Sequence, residues 1–450
     1  MNWAELQNLR RTHESTKNID TNPKLTHSTI PTIPSFHSNN PIKLHAASIT
    51  RIENIKRVNN FRSELRNLEL QDQVNTLNTA STPKEFRDMK ADKNTVIHAV
   101  PNAQIVGDKP YVGLTVKDKE IILNSARGHM DPYQLVRRIN DRLLGIILDD
   151  KVDETLTTNA TNVQGEHISL VGNGADNFWH WIVEYLPKVA LAESAGFDGQ
   201  YIVPGNRGFV DASFDMLGID PSRRTKFTGG VWNVERLYVP SFLPAWPDEM
   251  KRDESKLSSH CHFLRKVREQ LLDAAYGERT DAKEELPNKI FVQRRDTARK
   301  QLCINSDEVE GFLEARGYVP CYFEDYSLSQ QIRITSSVDR FFGLHGAAFT
   351  HALFMKQESV ITEIYSTHYD VDFYQVVNNA NPNTFHHCIV KTDVYDFQKE
   401  IQVIAERRKG ERQPHSTIAP DFEELLQPEN IYVNIQELDK QMHFDTVTHT

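Results

Sequence analysis

The sequence predicts an α/β protein built from two doubly wound domains preceded by an N-terminal extension. Two stretches, 168–240 and 289–364, alternate short apolar runs with amphipathic helical runs. This alternation is typical of β-α-β units, in which helices cover a parallel sheet. A long amphipathic run between the stretches predicts a connecting helix. Because such sheets bind ligands at the carboxyl ends of their strands, we expect a ligand site in the cleft where the two domains face each other.

The N-terminal part of the chain differs in composition from the rest. All 20 glycines lie at or after Gly107, and residues 13–48 are polar and proline-containing, which predicts a loosely held segment. Apolar residues then recur every three or four positions from Ile52 to Leu68, which predicts an amphipathic helix. That helix either packs on its own domain or forms a short coiled coil, so a homo-oligomer through residues 50–77 stays open.

These patterns divide the chain into five parts. The predicted parts are a polar extension with one amphipathic helix at 1–94, an α/β domain at 95–255, a connecting helix and linker at 256–284, a second α/β domain at 285–395, and a C-terminal extension at 396–450. The first α/β domain opens with short β-type runs, TVIHAV, AQIVG, YVGLTV and EIILN, which predict hairpins or a small sheet.

Charge and cysteine usage exclude several classes of protein. The net charge of -10 argues against binding to bare nucleic acid or to an anionic membrane surface. No run approaches the about 18 apolar residues of a membrane-spanning helix, and the first residues have no apolar signal region. The four cysteines are far apart, which predicts free thiols in a reducing compartment. We therefore expect a cytoplasmic protein, with at most a peripheral association with the inner membrane.

A glycine-containing turn, Gly343–Ala347, follows one predicted strand and opens a predicted helix. Small residues there let backbone N–H groups approach a phosphate at the positive end of the helix dipole, and His345 would add a side-chain donor. A basic run directly follows another predicted strand of the same domain: Arg294, Arg295, Arg299 and Lys300. Arginine forks match phosphate oxygens. The alternatives are an ordinary tight turn and a solvated basic face.

The predicted helix NFWHWIVEYLPKV carries a second candidate site. His180 and Glu184 are four residues apart, so on a helix they share a face. Trp179, Trp181 and Tyr185 flank them. A histidine and a carboxylate beside aromatic rings suit contacts to sugar hydroxyls and general-base catalysis. The alternative is a helix buried by its aromatic residues.

Metal binding has weak support in the sequence. The chain has no HExxH motif and no closely spaced cysteine pair. Asp370 and Asp372 form a DxD, a pattern that arises by chance in a chain with 62 acidic residues. We therefore predict no metal site.

Three segments resemble glycosyltransferase family 61 in the same order. NFWHWIVEYLPKV resembles the family's N-x-x-H-W-x-x-D-x-L-P segment, RRDTARKQLCINSDEV its R-R-x-x-x-R-x-x-x-N-E-x-E-V segment, and SLSQQIRITSSVDRFFGLHGAAFTHALFM its long segment around H-G-A-G-L-T-N. The similarity covers about residues 95–395. It implies a GT-B architecture of two Rossmann-like domains and an inverting transfer. It also implies a nucleotide-sugar donor, UDP-linked, that acts as substrate with no further cofactor, and a glycan or polysaccharide acceptor.

The resemblance also implies roles for residues at matching positions. On the donor side these are Arg294, Arg299, His345, Gly346, Ala347 and Glu363, the last facing the ribose. On the acceptor side they are His180 and Glu184, with Glu184 as the base and Asp176 in reserve. Departures from the family pattern put the donor preference in doubt: Gln330 replaces an acidic residue, Ala348 a glycine, His351 an asparagine, and Glu184 an aspartate. A non-catalytic nucleotide-sugar or glycan-binding protein, or a phosphate-binding α/β enzyme such as an epimerase, remains the alternative.

Overall fold

A computed structural model describes most of the region after residue 96 and a short piece before it. The described residues are 49–51, 97–109, 112–117, 120–122, 160–172, 174–205, 207–240, 254–277, 286–293, 303–356, 358–366, 377, 380–381, 386–408, 422–427 and 430–447. The chain divides into two compact units. Described residues up to Phe263 form the first unit, except Asn177–Val183 and Asp211–Ile219, which join the second unit with the residues from Leu264 onward. The domain boundaries expected from the sequence stay a prediction.

The described strands of the first unit form an eight-stranded mixed sheet in the order β1-β4-β3-β2-β8-β5-β6-β7. They are β1 Ile49–Arg51, β2 Ile97–Lys109, β3 Val112–Lys117, β4 Glu120–Ile122, β5 Thr161–Ser169, β6 Gln200–Pro204, β7 Arg224–Phe227 and β8 Gly230–Pro240. Strands β1 to β4 pair antiparallel, and β2 pairs antiparallel with β8. The predicted hairpins are thus present, although TVIHAV and AQIVG form one continuous strand, β2.

The parallel half of this sheet confirms the predicted β-α-β alternation. Strand β5 pairs parallel with β8 and β6, and β6 with β7. The connecting helices are α1 Phe178–His180, a π-helix Trp181–Tyr185, α2 Leu186–Ser194 and α3 Gly208–Met216. Pro187 lies in the first turn of α2, where a missing N–H costs nothing. A cluster of buried apolar residues forms a core of this unit, with Val100, Ile105, Ile202, Phe227, Trp232, Leu237 and Val239 among its members.

The second unit is built on a five-stranded parallel sheet in the order β10-β9-β11-β12-β13. Its strands are β9 Lys289–Gln293, β10 Val319–Tyr322, β11 Arg340–Leu344, β12 Val360–Ser366 and β13 His386–Thr392. All four pairings are parallel, so the order along the chain is 2-1-3-4-5, one of the two common doubly wound arrangements. The strand order reverses between β9 and β11, and ligands in such sheets bind outside the carboxyl ends of the strands at this point.

The described helices of the second unit flank this sheet. They are α4 Glu254–Gly277, whose first residues belong to the first unit, α5 Ser306–Glu314, α6 Leu328–Ser337, α7 Gln398–Arg408, α8 Phe422–Leu425 and α9 Ile435–Val447, with 3-10 helices at Phe323–Asp325, Ala347–Phe354 and Val394–Phe397. The predicted amphipathic stripe of α4 is confirmed at Leu264, Val267 and Leu271, which are fully buried. Among the described helices, none combines the length and apolar character that crossing a membrane requires.

A polar side chain directly precedes helix α5 without capping it. Asn305 occupies the position before the first turn, but its side chain makes no capping hydrogen bond to the helix. The amide instead pairs with the backbone of Val433, donating to its oxygen at 2.8 Å and accepting from its N–H at 2.9 Å. Gly317, with φ of 79°, ends the helical stretch, because it adopts the left-handed region that glycine tolerates.

The C-terminal segment is part of the core of the second unit. Ile431, Val433 and Leu438 are buried against residues of β9, α5, β11 and β12. Ile431 also forms a parallel bridge with Cys303. Residues placed in a C-terminal extension by composition therefore help to close this fold. The predicted stripe from Ile52 to Leu68, and with it the coiled-coil hypothesis, lies outside the described residues.

Candidate active site

The turn after β11 lies at the switch point of the second sheet. Gly343 pairs with Val292 of β9 and Glu363 of β12. The turn therefore starts at the end of β11, one of the two strands that flank the reversal. A Cβ atom on Gly343 would lie 3.3 Å from the ring of Phe349 and 3.4 Å from the oxygen of Val292. Glycine therefore allows β11 to approach the 3-10 helix that follows it.

Hydrogen bonds hold the turn and open its helix. The N–H of His345 donates to the oxygen of Ile364 at 2.9 Å, and the N–H of Phe349 donates to the oxygen of Gly346 at 3.0 Å. The Thr350 hydroxyl donates to the oxygen of Ala347 at 2.5 Å. Gly346 is extended, with φ of 162°. The turn therefore presents small residues at the N-terminus of an eight-residue 3-10 helix, which is a suitable place for an anion.

A buried carboxylate orients the imidazole of His345. The Nδ1 atom of His345 lies 2.6 Å from Oε1 of Glu363, and the Tyr365 ring stacks on the imidazole at 4.4 Å. Glu363 has no exposed side-chain surface, whereas His345 keeps 12%. A carboxylate at Nδ1 holds the proton there and directs Nε2 toward any ligand. Glu363 thus orients His345. The contact of Glu363 with the ribose, which the family resemblance implies, stays a prediction.

The opposite end of the same 3-10 helix is anchored by polar side chains. Arg268 of α4 donates through Nε to the oxygen of Leu353 at 2.7 Å, and its burial lowers its pKa. Asn381 donates to the oxygens of Ala352 and Met355 at 3.2 and 3.0 Å. Donors at the carbonyl end complement the helix dipole, so this helix is held at both ends.

The aromatic residues around His180 are core residues. Trp181 and Tyr185 have at most 1% of their surface exposed, and Trp179 has 6%. The indole N–H of Trp181 donates to the Ser213 hydroxyl at 2.8 Å. The interpretation of these rings as a sugar platform is therefore replaced by the alternative, a helix buried by its aromatics. His180 itself is partly buried at the end of α1 in the second unit.

Glu184 lies within the π-helix and belongs to the first unit. π-Helices are rare and are frequent at functional sites. Glu184 has 5% of its surface exposed, and Lys188, one turn further, has 4%. Burial lowers the pKa of Lys188 to about 8, against which the Glu184 charge raises it. The Lys188 ammonium also lies 5.0 Å from the centre of the Tyr185 ring. The spacing of four residues between Glu184 and Lys188 is the sequence signal that could have predicted this pair.

The remaining predicted residues are distributed as follows. Asp176 forms an ion pair with Arg207 at 3.3 Å, both in the first unit. Arg294 and Arg299 follow β9 in the sequence but lie outside the described residues, as do Asp370 and Asp372. Among the described residues, no group of three potential metal ligands comes together. Burial raises the pKa of the Cys321 thiol to about 12, which leaves this cysteine unreactive at neutral pH.

The second unit is thus a doubly wound α/β domain with a histidine-bearing turn at its switch point. A model of the Glycosyltransferase 61 family matches residues 178–362, from the first residue of α1 into β12. Over these residues the chain is similar to that family, which confirms the family resemblance in the sequence. Both α1 and the turn after β11 fall inside the match. No curated protein matches the chain.

Proposed function

We propose that the protein is an inverting glycosyltransferase that moves a sugar from a nucleotide-sugar donor to a glycan or polysaccharide acceptor. The observation that supports it best is the His345–Glu363 pair beside the first turn of a 3-10 helix, at the switch point of the parallel sheet. The basic run that starts at Arg294 follows β9, the other strand at this switch point. Positive groups from two neighbouring strand ends would therefore surround one phosphate site.

On the donor side, the proposed step is stabilisation of the departing diphosphate. As the bond between the anomeric carbon and the phosphate oxygen breaks, negative charge develops on that oxygen. Arg294 and Arg299 would donate bidentate hydrogen bonds, and the backbone N–H groups after Gly346 would add their dipoles. His345 would contact the diphosphate through Nε2, held in place by Glu363. A clamp of this kind needs no metal ion.

On the acceptor side, a base removes the proton of the attacking hydroxyl. We propose Glu184 for this role, with Asp176 in reserve and His180 as a contact to the acceptor. Lys188 lies one turn after Glu184, so a positive charge accompanies the carboxylate in the proposed site. The oxygen of the acceptor then bonds to the anomeric carbon from the face opposite the leaving group, so the configuration inverts.

A thermal-shift screen with nucleotide sugars and free nucleoside diphosphates tests the donor site. A ligand at a hundredfold excess over its Kd stabilises the protein by about 2.7 kcal/mol, so a true donor should raise the Tm clearly. Arg294→Ala should weaken UDP binding by about 1.5–3 kcal/mol, the range for a hydrogen bond to a charged group. Arg407→Ala removes an exposed arginine of α7 and is the matched control. Equal UDP affinity in both variants would remove Arg294 from the site.

The burial of Glu184 favours a second candidate, a non-catalytic nucleotide-sugar or glycan-binding protein. A carboxylate with 5% exposure beside a buried lysine is also what a structural ion pair would look like. Glu184→Gln distinguishes the two. Loss of a general base should lower kcat by about 10²–10⁴-fold at unchanged UDP affinity. Wild-type protein that binds UDP but transfers no sugar under any donor would favour the binding protein.

A further inference from the structure

His351 lies buried in the middle of the 3-10 helix Ala347–Phe354, with 2% of its surface exposed. Its Nδ1 atom lies 2.9 Å from the oxygen of Ala348, and its Nε2 atom lies 3.0 Å from Oε1 of Gln331 on α6. Both ring nitrogens therefore have a close polar neighbour, which fixes the rotation of the imidazole about its χ2 bond.

The orientation of the Gln331 amide is itself determined by its surroundings. Its Nε2 atom donates to the oxygens of Phe323 and Tyr326 at 2.8 and 2.9 Å, which uses both of its hydrogens. Oε1 must therefore be the atom that faces His351, so the imidazole lies between two oxygen acceptors. Burial lowers the pKa of His351 to about 4, so at neutral pH the ring has one N–H for these two oxygens.

Both faces of the same ring are covered by aromatic residues. The Phe323 ring stacks on it at 4.3 Å with an interplanar angle of 30°, and the Phe178 ring stacks at 4.9 Å with an angle of 20°. Phe178 is the first residue of α1, and α1 ends at His180. All of these residues belong to the second unit.

Helix α1 continues directly into the π-helix Trp181–Tyr185 and α2, so it is the first turn of one helical stretch. The end of a helix frays unless contacts hold it, so the position of this turn depends on the contacts made there. Asn177 caps it by accepting from the N–H of Trp179 at 3.0 Å. Trp181, directly after it, is anchored on Ser213 of α3. Phe178, the first residue of α1, stacks on His351. This contact attaches α1 to the 3-10 helix that follows the turn after β11.

We infer that His351 is a positioning residue. By stacking on Phe178 it holds α1, and with it His180, in a fixed place relative to the turn after β11. The link of this inference to catalysis rests on the proposed function, in which His180 contacts the acceptor. Its structural content is independent of that function. The departure from asparagine at this position thus places an aromatic face against Phe178, the first residue of α1.

Two substitutions at His351 separate the stack from the hydrogen bonds. Both His351→Leu and His351→Phe lose the contacts to Ala348 and Gln331, but only His351→Phe keeps an aromatic face for Phe178. Hydrogen–deuterium exchange of the full-length protein reads the position of α1 directly. In His351→Leu, exchange of the amides in 178–183 should rise about threefold to tenfold, as expected for loss of one aromatic pair. In His351→Phe it should return to near the wild-type rate.

A control variant excludes a general loss of stability. Tyr318→Leu removes the edge-on contact of Tyr318 with Phe342, 6.2 Å between ring centres, elsewhere in the same unit. It should leave exchange in 178–183 unchanged. Equal exchange in the Leu and Phe variants, or the same rise in Tyr318→Leu, would overturn the inference.

UDP affinity, measured by calorimetry on the same proteins, keeps the two proposals apart. His351→Leu should bind UDP within twofold of the wild type, since the turn itself is intact. A wild type that binds no nucleoside diphosphate would refute the proposed function, while the exchange comparison would still decide whether His351 positions α1.

Discussion

At the scale of single residues, two buried ionisable side chains carry most of the chemistry described above. Lys188 and Glu363 are each almost completely buried, and each lies close to another ionisable side chain. Glu363 holds the imidazole of His345, whereas Lys188 lies one turn after Glu184. Burying a charge costs free energy unless neighbouring groups compensate it. Substitutions that change the charge of these two residues but keep their shape should therefore have measurable effects on stability or on ligand binding.

Lys188 should make stability rise with pH above neutrality. Its pKa is about 8 in the folded chain against 10.5 in the unfolded one, so the unfolded chain binds the proton more tightly. The unfolding free energy therefore rises as pH increases through this window. The difference between the two pKa values corresponds to about 3 kcal/mol of unfolding free energy, at about 1.4 kcal/mol for each unit of pKa. Urea unfolding at pH 7 and pH 10 should show this gain in the wild type and in Lys399→Met, an exposed control, but not in Lys188→Met.

Parallel pH profiles for the wild type and Lys188→Met would mean that the ammonium is not desolvated in the folded protein. The buried pair with Glu184 would then lose its physical basis.

Glu363→Gln should weaken nucleotide binding without unfolding the protein. Glutamine keeps an oxygen for Nδ1–H of His345, but a neutral amide oxygen accepts this hydrogen bond more weakly than a carboxylate and so holds the ring less firmly. We expect UDP affinity to fall by about 1–2 kcal/mol, close to the difference between a charged and a neutral hydrogen bond. Calorimetric titration measures it, and Glu358→Gln, an exposed glutamate before β12, is the control. Unchanged affinity would separate the His345–Glu363 pair from the donor site.

At the scale of elements, short helices and single strands are held by contacts from distant parts of the chain. The 3-10 helix after the turn is bounded by Arg268 and Asn381 at its carbonyl end. The segment Ile431–Val433 pairs with the residues just before α5. Neither arrangement follows from helix propensity, because the partners are separated by tens of residues or more.

Asn305→Ala should destabilise the second unit by about 2–4 kcal/mol, because it leaves the buried N–H and oxygen of Val433 without their amide partner. Denaturant unfolding followed by fluorescence measures the change. Asn288→Ala, at an exposed asparagine before β9, should alter stability by less than about 0.5 kcal/mol. A similarly small effect of Asn305→Ala would mean that the C-terminal segment does not depend on this amide.

At the scale of the whole molecule, the order of the five parallel strands decides where a ligand can bind. The reversal between β9 and β11 brings the carboxyl ends of these two strands side by side, although β10 lies between them in the sequence. The glycosyltransferase 61 match spans this region. Since the proposed site supplies positive charge from side chains and backbone, it should work without a cation.

Sugar transfer and UDP binding should therefore persist in excess EDTA. Initial rates with and without EDTA, and after adding manganese, test this, with a manganese-dependent transferase assayed in parallel to show that chelation is complete. Loss of activity in EDTA and its return with manganese would contradict the metal-free clamp and would direct attention to Asp370 and Asp372.

Local patterns were enough to predict much of this protein. The alternation of strands and helices, the turn after β11, the amphipathic face of α4 and the family resemblance were all readable from the sequence. Each depends on residues close together in the chain, such as the glycines of the turn or apolar residues three and four apart. The aromatic residues near His180 could not be assigned in this way, because a tryptophan on a sugar platform and one in a core have the same local pattern.

The sequence by itself determined most of the elements, the parallel β-α-β stretches and the residue types at the turn. Only the tertiary structure decided which side chains meet: Glu363 with His345, 18 positions apart, Phe178 with His351, and Asn305 with Val433, 128 positions apart. The physical reason is that periodicity and turn chemistry act within a few residues, whereas burial and pairing of polar groups depend on which elements become neighbours. The role of a residue such as Glu363 is therefore set by its place in the folded chain.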